Sequence, residues 1–452
     1  MSSGFGFIIV AVGVVACMAA PLRANPDALR RYVTAADANY AVAQRRHGRI
    51  GTTEYTELIL TSQAWRGLAW KHQLFVLWPA SAAHDASHAL LLIGGGDWDA
   101  QLEVPAEEEP LPKAAAFIAA AAEQMGTPVA VLLQVPVQPI LGGRREDALI
   151  AHTFDRYLDT GDERWPLLLP MVKSTMRAMD AVQAAARERW GLEIATFTVT
   201  GGSKRGWTTW LTGAVDRRVT AMAPMVIDML NIDAHLRHQF EVWGATSEKI
   251  SDYTEHDLHR RLDTPTGQRL QQIVDPYHYR EALSQPKLII CGTNDHYWPL
   301  DALNLYWADL IGPKWVLYVP NNGHALKDVV RVLGALHGLH RQASGDSPLP
   351  VPRWAFEAGP ASTTLRVQST PTAQRALVWT ARSTSRDFRS AVWSSAAMEA
   401  GANGFQCRVA HEAKGHMAFF GELMFDEKPL PLFLSTTLRV IEPEGDHPPA
   451  PR

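Results

Sequence analysis

Apolar positions change their spacing several times along this chain, and each change marks an element. Between Leu58 and Leu339, short apolar runs alternate with stretches whose apolar residues recur at helical spacing. ELILTSQAW and QLFVLWPA read as an early β-hairpin region, and HALLLIGGG as a short buried strand that stops at glycines. AAAFIAAAAEQMG predicts a helix closed by Gly126, and PMVKSTMRAMDAVQAAARERWG a longer one closed by Gly191. A terminal glycine takes the left-handed conformation that ends helices. TPVAVLLQVP lies between these two helices as a strand. IATFTVTGG sets Ala195, Phe197 and Val199 against Thr196, Thr198 and Thr200, the alternation of a strand. In KRGWTTWLTGAVD, Trp207, Trp210, Leu211 and Ala214 fall on one helical face. VTAMAPMVIDM, PKLIICGTND and KWVLYVPNNGH are further strands with their exits. Strands alternating with helices predict an α/β fold with a mostly parallel sheet covered on both faces.

Two regions break the alternation. From about 231 to 283 the pattern is polar and helical, without a buried strand, and DPYHYREAL begins a helix at its end. This reads as an insertion capping the C-terminal edge of the sheet. After SPLPVPRW, a Pro-rich linker, short strands recur at regular spacing, from TTLRVQST to FLSTTLRVIEP. They predict a small antiparallel β-sandwich over 347–441, followed by a disordered tail at 442–452. The main α/β domain then spans 25–346.

The first 24 residues carry an apolar run, Phe5 to Ala20, that leads into small and then polar residues. The pattern reads as a secretory signal peptide, although no Lys or Arg precedes the run. Val14 to Cys17 (VVAC) also fits a lipobox, which would lipidate Cys17. The mature chain is expected to be secreted or periplasmic, free or anchored only at its start. Removal of the signal leaves Cys291 and Cys407, too few for a disulfide framework. A net charge of -4 offers no basic field for a nucleic-acid partner.

The stretch TVTGGSKRGW places Ser203 between a strand and an amphipathic helix. In that context a serine among small residues predicts a nucleophile elbow, with the helix N-terminus aiming N–H groups at an oxyanion. The usual G-x-S-x-G spacing is altered, since Arg205 stands two residues after the serine and Gly206 three. A phosphate-binding G-x-x-x-x-G-K-[ST] is absent. A nucleophilic serine needs a base and an acid that orients it, in the order Ser, acid, His. Asp295 follows the strand LIICG, and His324 follows VLYVP. Asp228, at the end of MAPMVID, is the competing acid. His296 would face away from the serine, and His278 lies in the insertion. The backbone N–H of Lys204 and those of Gly95 and Gly96, in the loop after the HALLLI strand, are the candidate oxyanion donors. Arg205, Asp97 and Trp98 are candidates for substrate contact. His84 and His88 have the spacing of a zinc pair but no third ligand, so neither metal nor cofactor is expected. RRHGR, Arg45 to Arg49, reads as a solvated basic turn.

The segments IGGGDW, EDALIAHTFDRYLDTGDERWPLLLPMVKSTMRAMDAVQ, GGSKRGWTTWLTGAVDRRVTAMAPMVIDMLN, IVDPYHYREAL and LYVPNNGHAL together resemble the PhoPQ-activated pathogenicity-related family. The resemblance runs from about Leu29 through the C-terminal sandwich, nearly the whole mature chain. It implies an α/β-hydrolase-like fold, akin to dipeptidyl-peptidase-like and glucuronoyl-esterase-like enzymes, and its S-K-R-G-W segment matches Ser203 to Trp207. Arg205 is on that view a family trait, and Lys204 takes the place of the basic residue that glucuronoyl esterases carry beside their serine. Family members commonly read GDQFFLPDSSQFYFDDL where this chain has GTNDHYWPLDALNLYWADL, so the acid loop differs. Two readings follow. One is a secreted serine hydrolase of an ester or peptide bond. The other is a binding or signalling protein that keeps the fold without the chemistry, as the family's secreted eukaryotic signal suggests. Substrate and oligomeric state stay open.

Overall fold

The computed structural model describes residues 27–84, 86–104, 110–402 and 404–443. The signal-peptide reading, Cys17 and most of the tail lie outside these residues. In chain order the elements are α1 (Asp27–Thr34), β1 (Ala41–Ile50), β2 (Thr53–Trp65), β3 (Leu68–Trp78), β4 (His88–Ile93), α2 (Ala115–Met125), β5 (Val129–Leu132), α3 (Glu146–Thr160), α4 (Leu168–Trp190), β6 (Thr196–Gly202), α5 (Lys204–Val215) and β7 (Val219–Met225). The insertion contributes α6 (Ile232–Trp243), α7 (Ser251–Thr254), α8 (Leu258–Arg261) and α9 (Pro265–Val274), followed by a 3-10 turn at Pro276–Ala282. Then come β8 (Lys287–Gly292), β9 (Lys314–Val319) and α10 (Val329–Ser344). The C-terminal strands are β10 (Val351–Ala358), β11 (Ser362–Thr370), β12 (Arg375–Ser383), β13 (Ser394–Ala397), β14 (Glu399–Gly401), β15 (Gly404–Ala410), β16 (His416–Phe425), β17 (Leu432–Ser435) and β18 (Arg439–Ile441).

The sheet is built around six parallel strands in the order β5-β4-β6-β7-β8-β9, with β3, β2 and β1 added antiparallel at one side. Successive strand residues point to opposite faces. Leu90, Ala221 and Leu288 accordingly enter one core, with Ala122 of α2 and Leu336 of α10. Leu91, Met222 and Ile289 enter the other, with Val182 of α4 and Trp210 of α5. Helices thus cover both faces, and this is the α/β arrangement around a mostly parallel sheet that the alternation predicted. The chain leaves β4 toward β5 on one side and β6 toward β7 on the other, so the connections diverge between β4 and β6, and a switch of that kind leaves a crevice at the C-terminal strand ends where ligands bind.

Two features differ from the expectation. RRHGR is no turn. Arg45 and Arg46 sit in β1, where a bulge between Gln44 and Arg46 breaks the pairing register with β2. Both are buried on Glu57, itself 0% exposed, which also accepts from Gln73 Nε2 at 2.7 Å. Burial of these charges is tolerable because every one meets a partner. The C-terminal strands, in turn, are not a free-standing sandwich. β17 pairs with β9 at Ser435 and Val316, and β16, β12, β13 and β18 continue from it, so one layer prolongs the central sheet. The second layer is the separate antiparallel sheet β10-β11-β15-β14.

Candidate active site

Ser203 stands between β6 and α5 with φ 56° and ψ −127°, a backbone conformation that costs a non-glycine residue energy. The strain is held from below by close packing. A Cβ on Gly206 would lie 2.7 Å from Ile227 Cγ2 and 2.9 Å from the Gly201 carbonyl, so the chain can turn this sharply only with glycine there. Gly206 does the work that the second glycine of the usual motif does one residue earlier. The Ser203 N–H is spent on the Met225 carbonyl at 2.9 Å, which ties the elbow to β7. Lys204 N heads the helix, where first-turn N–H groups lack intrahelical acceptors.

The candidate acid, Asp295, and the candidate base, His324, arrive on adjacent loops. Gly292 ends β8 against the Asn322 and Gly323 carbonyls, where any side chain would clash. Asn294 N donates to the Asn322 carbonyl at 2.9 Å, and Asn321 N to Thr293 Oγ1 at 2.9 Å. This stitching brings His324 Nδ1 to 2.8 Å from Asp295 Oδ2, while Asp295 Oδ1 accepts from the Tyr297 N–H at 3.0 Å. The Tyr297 ring stacks on the imidazole, centroids 4.3 Å apart. Ser203 and His324 line one cavity, with about 880 Å³ of empty space counting its mouth. Among the described residues no hydrogen bond joins Ser203 Oγ to His324, a contact that is often loose before substrate binds.

Asp228 does not face the histidine. It lies buried beside Cys291 and Tyr318 in a smaller space behind Asp295, and burial pushes its carboxyl up to about 7. His296 is half-buried and contacts Glu248 at 3.2 Å, and His278 is exposed on the insertion. His88 sits at the start of β4, its ring nitrogens on Thr196 and Thr198 Oγ1 at 2.8 Å each, and is a satisfied core residue.

The basic pair after the serine is fully occupied. Arg205 clamps Glu146 with Nη1 and Nη2 at 2.7 and 2.6 Å and donates Nε to the Val135 carbonyl at 2.6 Å. Its guanidinium packs against Gly95, where no Cβ would fit. Arg205 therefore braces the Gly94–Gly96 loop against the elbow. Lys204 Nζ lies 2.8 Å from Glu146 and 3.4 Å from Asp147. Asp147 also accepts from Tyr253 OH at 3.1 Å and Tyr297 OH at 3.4 Å. Burial works against the charge of Glu146, but the hydrogen bonds and charge of Arg205, with Lys204, lower its carboxyl to about 2. Asp97 pairs instead with Arg145 at 2.9 Å near the surface, and Trp98 packs into the core; neither lines the cavity with Ser203. Sequence reasoning missed Glu146, Asp147, Tyr253 and Tyr297. The acidic pair opening the segment EDALIAHTF was the signal that could have found the first two.

Among the described residues no group of three or more His, Cys, Asp or Glu side chains is placed to hold a metal ion, and no helix is long and apolar enough to cross a membrane. Cys291 is buried and Cys407 partly buried, both as free thiols.

Comparison with known proteins returns the following. The autocrine proliferation repressor protein A of Dictyostelium discoideum is 32% identical over 308 residues, 65% of this chain and 60% of that protein, so the match spans less than two thirds of the relative. Among solved structures, an acetyl xylan esterase from Paenibacillus sp. R4 aligns with a TM-score of 0.46 at 14% identity, over 66% of this chain and 87% of that one. A glucuronoyl esterase from Solibacter usitatus aligns with a TM-score of 0.37 at 14% identity, over 64% and 79%. The model of the PhoPQ-activated pathogenicity-related proteins matches residues 29–389, most of the chain, and the protein belongs to that family.

Proposed function

We propose that this protein is an exported serine hydrolase that cleaves a carboxyl ester. The observation that carries the reading is the hydrogen bond of 2.8 Å between Asp295 and His324 Nδ1, beside a serine held on a strained elbow in the same cavity. Ser203 Oγ attacks the carbonyl carbon, and His324 Nε2 takes its proton. Asp295 fixes the tautomer with the proton on Nδ1 and stabilises the imidazolium that forms. The N–H of Lys204, with those of Gly95 and Gly96, receives the oxyanion; each donor would contribute roughly 3 kcal/mol in the transition state. His324 then protonates the departing alcohol, and the same groups activate water to release the acid. Ester is favoured over an N-terminal peptide because Asp147, the carboxylate in the cavity lining, is already held by Lys204, Tyr253 and Tyr297. It is not free to bind a peptide's ammonium end. The signal-peptide pattern at residues 1–24 supports export.

The missing hydrogen bond between Ser203 and His324 favours a second reading, a binding protein with an idle triad. Labelling of the chain with a fluorophosphonate separates the two. The expected result is one adduct on Ser203, located by mass spectrometry, abolished in Ser203→Ala and His324→Ala and slowed at least about 1,000-fold in Asp295→Asn. A folded protein that takes no label would sink the hydrolase reading.

A further inference from the structure

The cavity above Ser203 is walled by the insertion on one side and by Val226 and Ile227 on the other, and its lining is overwhelmingly apolar. Phe154, Trp207, Tyr253 and Trp298 give it aromatic walls. One residue does not fit that character. His235, on α6, is 1% exposed and lines the cavity. Its ring lies near the Leu230 carbonyl and the His238–Asp301 pair, but no contact of either ring nitrogen has the geometry of a full hydrogen bond. The Trp298 indole packs edge-on to it, centroids 5.7 Å apart, and Trp298 Nε1 is also buried without a partner. Buried polar groups are nearly always paired, so unpaired ones on residues that line a cavity can take a partner from its occupant. Burial holds the imidazole neutral, down to about 3, so it offers one donor and one acceptor. A hydroxyl can accept from the one or donate to the other, and a charged group suits neither the imidazole nor the walls.

Resting on the hydrolase reading, we propose that this cavity receives an uncharged, ring-sized apolar group of the ester substrate, and that His235 reads a hydroxyl on it. His235 is thus a specificity residue rather than a catalytic one. The insertion, by carrying α6, sets which esters reach Ser203.

The test uses the full chain and 4-nitrophenyl esters of acetic, 3-phenylpropanoic and 3-(4-hydroxyphenyl)propanoic acid. Acetates of ethanol, 2-phenylethanol and 2-(4-hydroxyphenyl)ethanol place the same groups on the alcohol side. On one side or the other, the ring is expected to raise kcat/KM at least about tenfold, and the hydroxyl about fivefold more. His235→Phe should keep the first gain and lose the second. Ile232→Trp, which fills the cavity from a partly buried position of α6, should lose the first gain while acetate turnover persists. Should Ser203 take the fluorophosphonate while ring-bearing and small esters are cleaved equally well, the pocket assignment falls and the hydrolase reading stands. Should Ser203 take no label, calorimetry with 4-ethylphenol decides: binding that Ile232→Trp abolishes supports the pocket, and an absence of binding to the wild type overturns it.

Discussion

Replacing Glu146 by Gln tests whether the elbow is braced from outside. The carboxylate holds four contacts, with Lys204 Nζ at 2.8 Å, Arg205 Nη1 and Nη2 at 2.7 and 2.6 Å, and Gln138 Nε2 at 2.7 Å. The two cations are 7% and 12% exposed, so neither finds water when the countercharge goes. A hydrogen bond to a charged group contributes about 1.5–3 kcal/mol. Glu146 itself is 39% exposed, and screening there puts the loss near the lower end, about 2 kcal/mol. The sign with pH follows from the carboxyl, lowered from 4.5 to about 2. Its stabilisation is present in full above pH 4.5 and is lost as pH falls toward 2, so the gap between wild type and variant should narrow over that interval. Urea unfolding at several pH values measures it, and a double-mutant cycle with Arg205→Met isolates the pair. Because Arg205 also packs on Gly95, the rate of fluorophosphonate labelling at Ser203 should fall about tenfold, by a loss of about 1.4 kcal/mol in transition-state binding. A coupling energy below about 0.5 kcal/mol, with an unchanged labelling rate, would refute the bracing argument.

Two further outcomes are expected. Gly206→Ala puts a methyl group within 3.0 Å of Ile227 and of the Gly201 and Met225 carbonyls; it should lower stability by at least about 1–3 kcal/mol and abolish Ser203 labelling, both read on the purified variant. Asp228→Asn removes a buried carboxyl whose burial raises it to about 7. A raised carboxyl favours the folded state below its unfolded value near 3.8, and this advantage fades as pH rises through 7. The wild type's melting temperature should therefore fall between pH 5 and 8 relative to that of the variant, and parallel curves would show that Asp228 does not titrate in this range.

The parts of the site that were legible in the sequence are those governed by local spacing. The strand–serine–helix order around Ser203 and the strand exits at Asp295 and His324 follow from periodicity, which one short segment carries by itself. Glu146 and Asp147 were not legible, because they sit 57 and 56 residues before Ser203, and only the tertiary path of the 135–146 loop brings them to Lys204 and Arg205. RRHGR failed for a related reason. Charged residues read as solvated unless their partner is known, and Glu57 lies on the next strand, set by a bulge that composition does not announce. The C-terminal strands were legible as strands, but the pairing of Ser435 with Val316 depends on register across more than a hundred residues.

That pairing bears on how the protein can be cut. The segment between β12 and β13 reaches back over the loops that carry Asp295 and His324: Asn294 Nδ2 donates to the Ala391 carbonyl at 2.7 Å, and Asn321 exchanges hydrogen bonds with the Trp393 backbone at 3.0 and 2.8 Å. Arg389 also bridges to Glu248 of the insertion at 2.8 Å. The Pro-rich stretch near 347 looks like a place to truncate, yet a protein ended there would expose the β9 edge and release the supports of the Asp295 and His324 loops. The C-terminal strands are thus not interchangeable cargo that gene fusion or deletion could swap. They hold the loops of Asp295 and His324 in place, and a protease that nicks the β12–β13 segment would loosen that support at a distance from Ser203.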